Sequence, residues 1–204
     1  MFDQYLRSLK DRLLAPLARA LGPWMAPDAI TLLAFVTGLA CAGAVLVHRD
    51  GLGLGLWAAN RLLDGLDGTQ ARVHGRESVF GGYLDIVLDH GVYAAIPIAM
   101  VVASGSFDLA VAGLLLLASF YGNAASWMYL AAILEQRREG ARARGEDTTV
   151  TMPPGLVAGT ETVVLYSLFF LLPAFRLGLF RLMAVLVLVT AVQRLVWAHR
   201  HLRT

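Results

Sequence analysis

Apolar residues dominate the chain in long blocks separated by short polar links, and the first block differs from the rest. Phe2, Leu6, Leu9, Leu13 and Leu17 recur at helical spacing, with Arg7, Lys10, Asp11 and Arg12 between them. This pattern predicts an amphipathic helix lying in a membrane interface and bent near Pro16, the alternative being a helix packed on the rest of the protein. Pro23 and Pro27 are expected to end it, and Trp24 suits the headgroup level. Six apolar runs follow, each read as a transmembrane helix. They cover about Ala29–Val47, Leu52–Ala71, Phe80–Ala103, Leu109–Leu134, Leu156–Leu172 and Leu177–Ala198. The first would be ~28 Å long as a helix, against a hydrocarbon core of ~30 Å. The expected fold is therefore an all-α integral membrane protein, with six transmembrane helices after the amphipathic one.

Composition agrees. The chain has 204 residues, 57% of them hydrophobic and 16% charged, which one helical membrane domain can hold. A net charge of +2 is too small to suggest nucleic acid as a partner, and its placement says more than its total. Arg7, Lys10, Arg12 and Arg19 precede the first span. Arg72 and Arg76 lie between the second and third, Arg137, Arg138, Arg142 and Arg144 between the fourth and fifth, and Arg200 and Arg203 at the end. The opposite links hold only Arg49, Arg176 and Arg181. The positive-inside rule then puts both termini in the cytoplasm, as an even number of spans requires. Residues 1–26 lack the continuous apolar run of a cleavable signal peptide, and Cys41, the one cysteine, is expected to be a buried thiol.

Four carboxylates break the apolar pattern. Asp64 and Asp67 are spaced i,i+3, and Asp85 and Asp89 i,i+4, so each pair shares a helix face. With a turn at Gly75, the two pairs reach similar depth on antiparallel helices. A charge at bilayer depth costs at least ~2.5–3.5 kcal/mol, and four neighbouring carboxylates repel unless cations sit among them. Hard oxygen donors select Mg²⁺, Mn²⁺ or Ca²⁺. Arg61, one turn before Asp64, is expected to pair with it. Intramembrane acids alone leave open a cation-binding transporter or channel as well as an enzyme.

Written out, the stretch is Asp64-x2-Asp67-Gly68-x2-Ala71-Arg72-x8-Gly81-x3-Asp85-x3-Asp89, eight fixed identities over 26 residues. It resembles the signature of the CDP-alcohol phosphotransferases, membrane enzymes of phospholipid synthesis, with every position at the family's spacing. The resemblance implies residues 1–26 as the juxtamembrane helix and residues 27–204 as a six-helix catalytic domain. It implies transfer of a phosphatidyl group from CDP-diacylglycerol, or a similar CDP-alcohol, to the hydroxyl of an acceptor, with release of CMP. It also implies two Mg²⁺ or Mn²⁺ ions held by Asp64, Asp67, Asp85 and Asp89, with Asp89 as general base. Asp64, Gly68, Ala71, Arg72 and Gly81 would lie against the nucleotide and its phosphates. A homodimer in the cell (inner) membrane, with the active site facing the cytoplasm, is implied too. Asp28 departs from the family, which often has Asn after the proline before its first span. A non-catalytic family member is a further alternative, though its expected mark, a lost aspartate, is missing.

The acceptor is the least legible part. A phosphorylated acceptor needs fixed cations, and Arg137 and Arg138, with Arg142 and Arg144 in the same loop, are candidates beside their topological role. Arg194, about one turn inside the sixth span, needs a partner at its depth, and Glu161 is a candidate for that or for binding acceptor hydroxyls. These residues lean toward a phosphorylated polyol such as glycerol 3-phosphate. Asn123 and Ser126 are expected to hydrogen-bond between helices.

Overall fold

A computed structural model describes residues 2–140 and 155–202. Its described residues are helical, without strands, and fall into two compact units, residues 1–106 and 107–204. Arg142 and Arg144 lie outside the described residues.

The first unit contains α1 (Phe2–Leu21), α2 (Pro27–Leu46), α3 (Asp50–Val73) and α4 (Val79–Ser104). Pro16 lies within α1. Pro27 was expected to close the first helix and instead opens the second. At the first helical position its missing N–H is one of the donors that has no helical partner anyway, and Asp28 beside it complements the helix dipole. The turn anticipated at Gly75 is present: its φ of +61° is left-handed backbone, which glycine adopts without strain. Ser78 then caps α4, its Oγ accepting from the Gly81 N–H at 2.9 Å. Gly105, also left-handed, ends α4 in the Ser104–Ser106 link.

α2 packs against both α3 and α4, whereas α3 and α4 barely approach each other along their backbones. Gly38 makes this arrangement possible. A Cβ there would stand 2.5 and 2.7 Å from the two Val92 methyls and 3.1 Å from Asn60 Nδ2. The close approach lets buried Asn60 donate to the Ala34 carbonyl at 2.7 Å. Deeper in, Cys41 Sγ donates to the Gly53 carbonyl at 3.2 Å, so the lone cysteine is the buried thiol expected.

α1 lies on the C-terminal half of α3. Leu14 and Ala18 bury against Leu66 and Ile30, while Leu13 and Leu17 from the amphipathic stripe are exposed. Polar contacts reinforce this seat. Gln70 Nε2 donates to the carbonyls of Gly22 and Met25 at 2.8 and 3.0 Å, and Arg76 Nη1 donates to that of Pro23 at 2.7 Å.

The second unit contains α5 (Phe107–Gln136), α6 (Gly159–Leu171), a 3-10 turn (Pro173–Phe175) and α7 (Arg176–Leu202). α5 pairs with α7. Phe120 stacks on Tyr166, and Phe169 meets Tyr166 and Phe180 at centroid distances of 5.1 and 4.7 Å. The fifth apolar run was expected to be helical from Leu156, but the helix begins at Gly159. The N–H groups of Leu156 and Val157 go instead to Gln193 Oε1 and Thr190 Oγ1 on α7.

α2, α4, α5 and the stretch Pro173–Leu202 are long and apolar enough to cross a membrane. Their exposed faces carry residues such as Leu33, Val36, Leu114, Leu115, Val185 and Leu188, which suit lipid and not water. The chain is an integral membrane protein. α3 falls outside this group because of its polar residues, and α6 because it has only 13.

The Gly38 contact yields a first prediction. Gly38→Ala is expected to destabilise the purified protein by about 1–3 kcal/mol, the usual effect of overpacking. Gly43→Ala, where a Cβ meets nothing within 4 Å, is expected to leave the detergent melting curve unchanged. Adding Val92→Ala to Gly38→Ala is expected to recover part of the loss; melting curves of the four proteins check this.

Candidate functional site

α3 and α4 carry all eight positions of the pattern, and the Gly75 turn brings their acidic faces together. Asp64, Asp85 and Asp89 each direct a carboxylate oxygen to a common point, the three oxygens lying within 4.8 Å of one another. These side chains line one cleft with Thr31, Ala34 and Phe35 of α2 and Asn60 of α3. Asp67 is outside the group of three. It is buried one turn along α3, where Thr31 Oγ1 donates to its Oδ2 at 2.7 Å and the Gly68 N–H donates to its Oδ1. Thr31 was not singled out in the sequence, because its partnership depends on the α2–α3 crossing.

Arg61 was expected to pair with Asp64 and does so only loosely, at 3.6 Å. Its fork faces Asp89, with Nη2 to Oδ1 at 2.6 Å and Nη1 to Oδ2 at 3.2 Å, and Nη1 also donates to the Tyr93 hydroxyl at 2.8 Å. The spacing of Trp57, Arg61 and Asp64 on one helix, and of Asp89 and Tyr93 on the other, placed these groups on shared faces. Only the packing of α3 and α4 onto α2 decides which meet.

Three carboxylates converging on a point, with one guanidinium against them, leave surplus negative charge and free hard-oxygen lone pairs. That donor set fits Mg²⁺ or Mn²⁺, and a thiol or imidazole does not intrude on it.

The pattern's other positions flank the acids. Arg72 lies across Gly68, where a Cβ would stand 3.2 Å from Nη1, and its Nη2 donates to Asp11 Oδ1 of α1 at 2.6 Å. Thr69 Oγ1 donates to the same Asp11 oxygen at 2.9 Å. Gly81 faces Asp28, whose Oδ1 would be 3.1 Å from an added Cβ. Ala71 is half-buried on α3.

In the second unit, Arg194 is buried and its Nη1 donates to Asn123 Oδ1 at 2.5 Å, so Asn123 does bond across helices. Ser126 bonds within its own helix, to the Asn123 carbonyl. Glu161 accepts the Ala158 N–H at 3.0 Å, capping α6. Arg137 Nη2 donates to the Leu202 carbonyl at 3.1 Å, and Arg138 has a left-handed φ of 59° just beyond α5.

Known proteins resemble the chain in both sequence and fold. The inner membrane protein YnjF of Escherichia coli K12 is 33% identical over 175 residues, covering 85% of this chain and 84% of that one. The CDP-diacylglycerol–serine O-phosphatidyltransferase of Mycobacterium leprae is 33% identical over 86 residues, 42% of this chain and 29% of that one. The phosphatidylinositol phosphate synthase PgsA1 of Mycobacterium tuberculosis shares the fold. Its structure with CDP-DAG bound superposes with a TM-score of 0.70 at 24% identity, covering 90% of this chain and 92% of that one. Its complex with manganese and citrate gives 0.69 at 23% identity, covering 89% and 87%. The family model for CDP-alcohol phosphatidyltransferase matches residues 24–199. A match of that length reaches far beyond eight motif positions, and the chain belongs to the CDP-alcohol phosphatidyltransferase family.

Proposed function

We propose that the chain transfers a phosphatidyl group from CDP-diacylglycerol to a phosphorylated polyol such as glycerol 3-phosphate, in a reaction dependent on Mg²⁺ or Mn²⁺. The observation that carries this reading is the convergence of Asp64, Asp85 and Asp89 in a chain of this family. Asp64, Asp67 and Asp85 would hold the cations, with Asp89, which converges on the same point as Asp64 and Asp85, beside them as general base. Two divalent cations, when bound, supply the positive charge that neutralises pyrophosphate oxygens and stabilises the leaving phosphate.

The chain's own residues do the rest. Asp89 takes the proton of the acceptor hydroxyl as its oxygen attacks the phosphorus that carries diacylglycerol. A new P–O bond forms, the bridging P–O bond breaks, and CMP leaves with the bond pair. Because a carboxylate is a weak base for an alcohol, proton transfer accompanies attack. Arg72, with Gly68 and Ala71 beside it and Gly81 on α4, binds the nucleotide and its phosphates, the small residues leaving room against the helices. CDP-DAG bound to the PgsA1 neighbour supports the donor, and its manganese complex supports the metal.

Arg194, with Arg137 and Arg138, supplies cations for the acceptor phosphate. Arg194 is buried and donates to Asn123 Oδ1, and its guanidinium has the planar fork that suits a phosphate. Glu161 serves acceptor hydroxyls. Six spans, with α3 and α6 completing the four long helices, return the chain to the side where it starts. α1, with Leu13 and Leu17 exposed, lies in the cytoplasmic interface of the cell membrane, and residues 27–204 form the catalytic domain of a homodimer.

Asp64→Ala, Asp67→Ala and Asp85→Ala are each expected to abolish CMP release from CDP-diacylglycerol while the protein still inserts and purifies; full activity in one variant removes that residue from the site. Asp89→Asn is expected to keep nucleotide-lipid binding and to slow turnover by roughly 10²–10⁴. Glu139→Cys is expected to react with an impermeant thiol reagent from the cytoplasmic side only, and Ser104→Cys from outside only; the reverse pattern overturns the orientation. Supplying CDP-diacylglycerol and Mn²⁺ with each candidate alcohol, then weighing the lipid product, identifies the acceptor. Serine or unphosphorylated inositol as the sole productive alcohol sinks the phosphate preference. Arg194→Ala is expected to raise KM for the phosphorylated acceptor far more than KM for the CDP-lipid.

A further inference from the structure

Arg61 lies outside the eight-position pattern, yet its surroundings hold every part of it. Its guanidinium carbon is 4.8 Å from the Trp57 ring centroid and 5.0 Å from that of Tyr93, and the two rings meet edge to face at 6.1 Å. Nε donates to Asn60 Oδ1 at 2.8 Å, Nη1 to the Tyr93 hydroxyl, and the fork to both oxygens of Asp89. The side chain is 10% exposed, against 25% for Asp89. A lysine could satisfy neither the stacking nor the fork.

We propose that Arg61 is a positioning residue for Asp89 and the resident counter-cation of the acidic cleft, orienting that carboxylate at the expense of divalent-cation affinity. This rests on the reading of the aspartates as a divalent-cation site. An ionised carboxylate has about four acceptor directions. The Arg61 fork takes two, one on each oxygen, and fixes the carboxylate plane. One oxygen remains directed at Asp64 and Asp85, and an acceptor direction remains for the proton of an attacking hydroxyl. The guanidinium is permanently charged and lies 2.6 Å from Asp89 and 3.6 Å from Asp64. Any cation placed among these carboxylates meets its repulsion, and without such a cation it offsets part of theirs.

The test separates orientation from charge. Mn²⁺ binding to the purified full chain in detergent is read by electron paramagnetic resonance, and turnover by CMP release in the presence of glycerol 3-phosphate. Arg61→Gln is expected to bind Mn²⁺ on the order of tenfold more tightly, since a nearby positive charge is gone, while turning over at least about tenfold more slowly, since the base loses its orientation. Arg61→Lys keeps the charge and is expected to bind Mn²⁺ like wild type, yet to turn over more slowly. Adding Arg61→Gln to Asp89→Asn is expected to slow turnover no further, because Arg61 acts through Asp89. If Arg61→Gln is less stable, its melting temperature is still expected to rise more on adding Mn²⁺ than that of wild type. A merely structural arginine would weaken Mn²⁺ binding and turnover together. That result, a smaller Mn²⁺ shift, or wild-type turnover in Arg61→Lys overturns the inference. Wild-type protein whose Mn²⁺ binding is absent, or is untouched by Asp64→Ala, overturns the cation site itself and this inference with it.

Discussion

Mutual repulsion among carboxylates held in an apolar helix bundle is the constraint on which the first unit depends. Asp64, Asp85 and Asp89 meet within 4.8 Å, half-buried, where like charges act strongly. The surrounding structure answers that repulsion with specific groups. The Arg61 fork holds Asp89, and the Thr31 hydroxyl and Gly68 N–H hold Asp67. α2 makes this possible by packing on both acidic helices, which themselves stay apart. Gly38 lets α2 come close enough for the Asn60 bond to Ala34, and Asn60 in turn accepts from Arg61. A glycine on one helix is thus connected through two side chains to a carboxylate on another.

Much of this was legible along the chain. Polar residues inside apolar runs stand out because nothing but partnership or chemistry keeps them there, and helical spacing puts each aspartate pair on one face. The Gly75 and Gly105 turns were readable because glycine with polar neighbours interrupts an apolar run, and both have left-handed backbone. The partners were not readable in the same way. Arg61 to Asp89, Thr31 to Asp67 and Arg72 to Asp11 join residues 28, 36 and 61 positions apart. Spacing within one helix cannot say which faces of different helices meet. The start of α6 was misjudged for a related reason. Hydropathy sees Leu156 and Val157 as apolar, but their N–H groups are bonded to Gln193 and Thr190 on another helix.

The two units divide the polar chemistry unequally. The first concentrates acids between α3 and α4, and the second carries a buried arginine on an asparagine. In the first unit a guanidinium forks onto a carboxylate, and in the second Arg194 donates to an amide oxygen. Apolar faces around both have no such burden, and their exposed leucines and valines show only the demand of lipid as solvent.

The seat of α1 has a consequence for how the chain is made. Asp11 leaves the ribosome 58 residues before Thr69 and 61 before Arg72, the groups that hold it. The carbonyls of Gly22, Met25 and Pro23 likewise wait for Gln70 and Arg76. During synthesis the first helix has only Ile30 of α2 to rest on until α3 brings Leu66, Thr69, Gln70 and Arg72. Its docking closes a loop of that length, a modest entropic toll that grows only slowly with separation. Its fastening therefore ties the start of the chain to the helix that carries Asp64 and Asp67, across two intervening links.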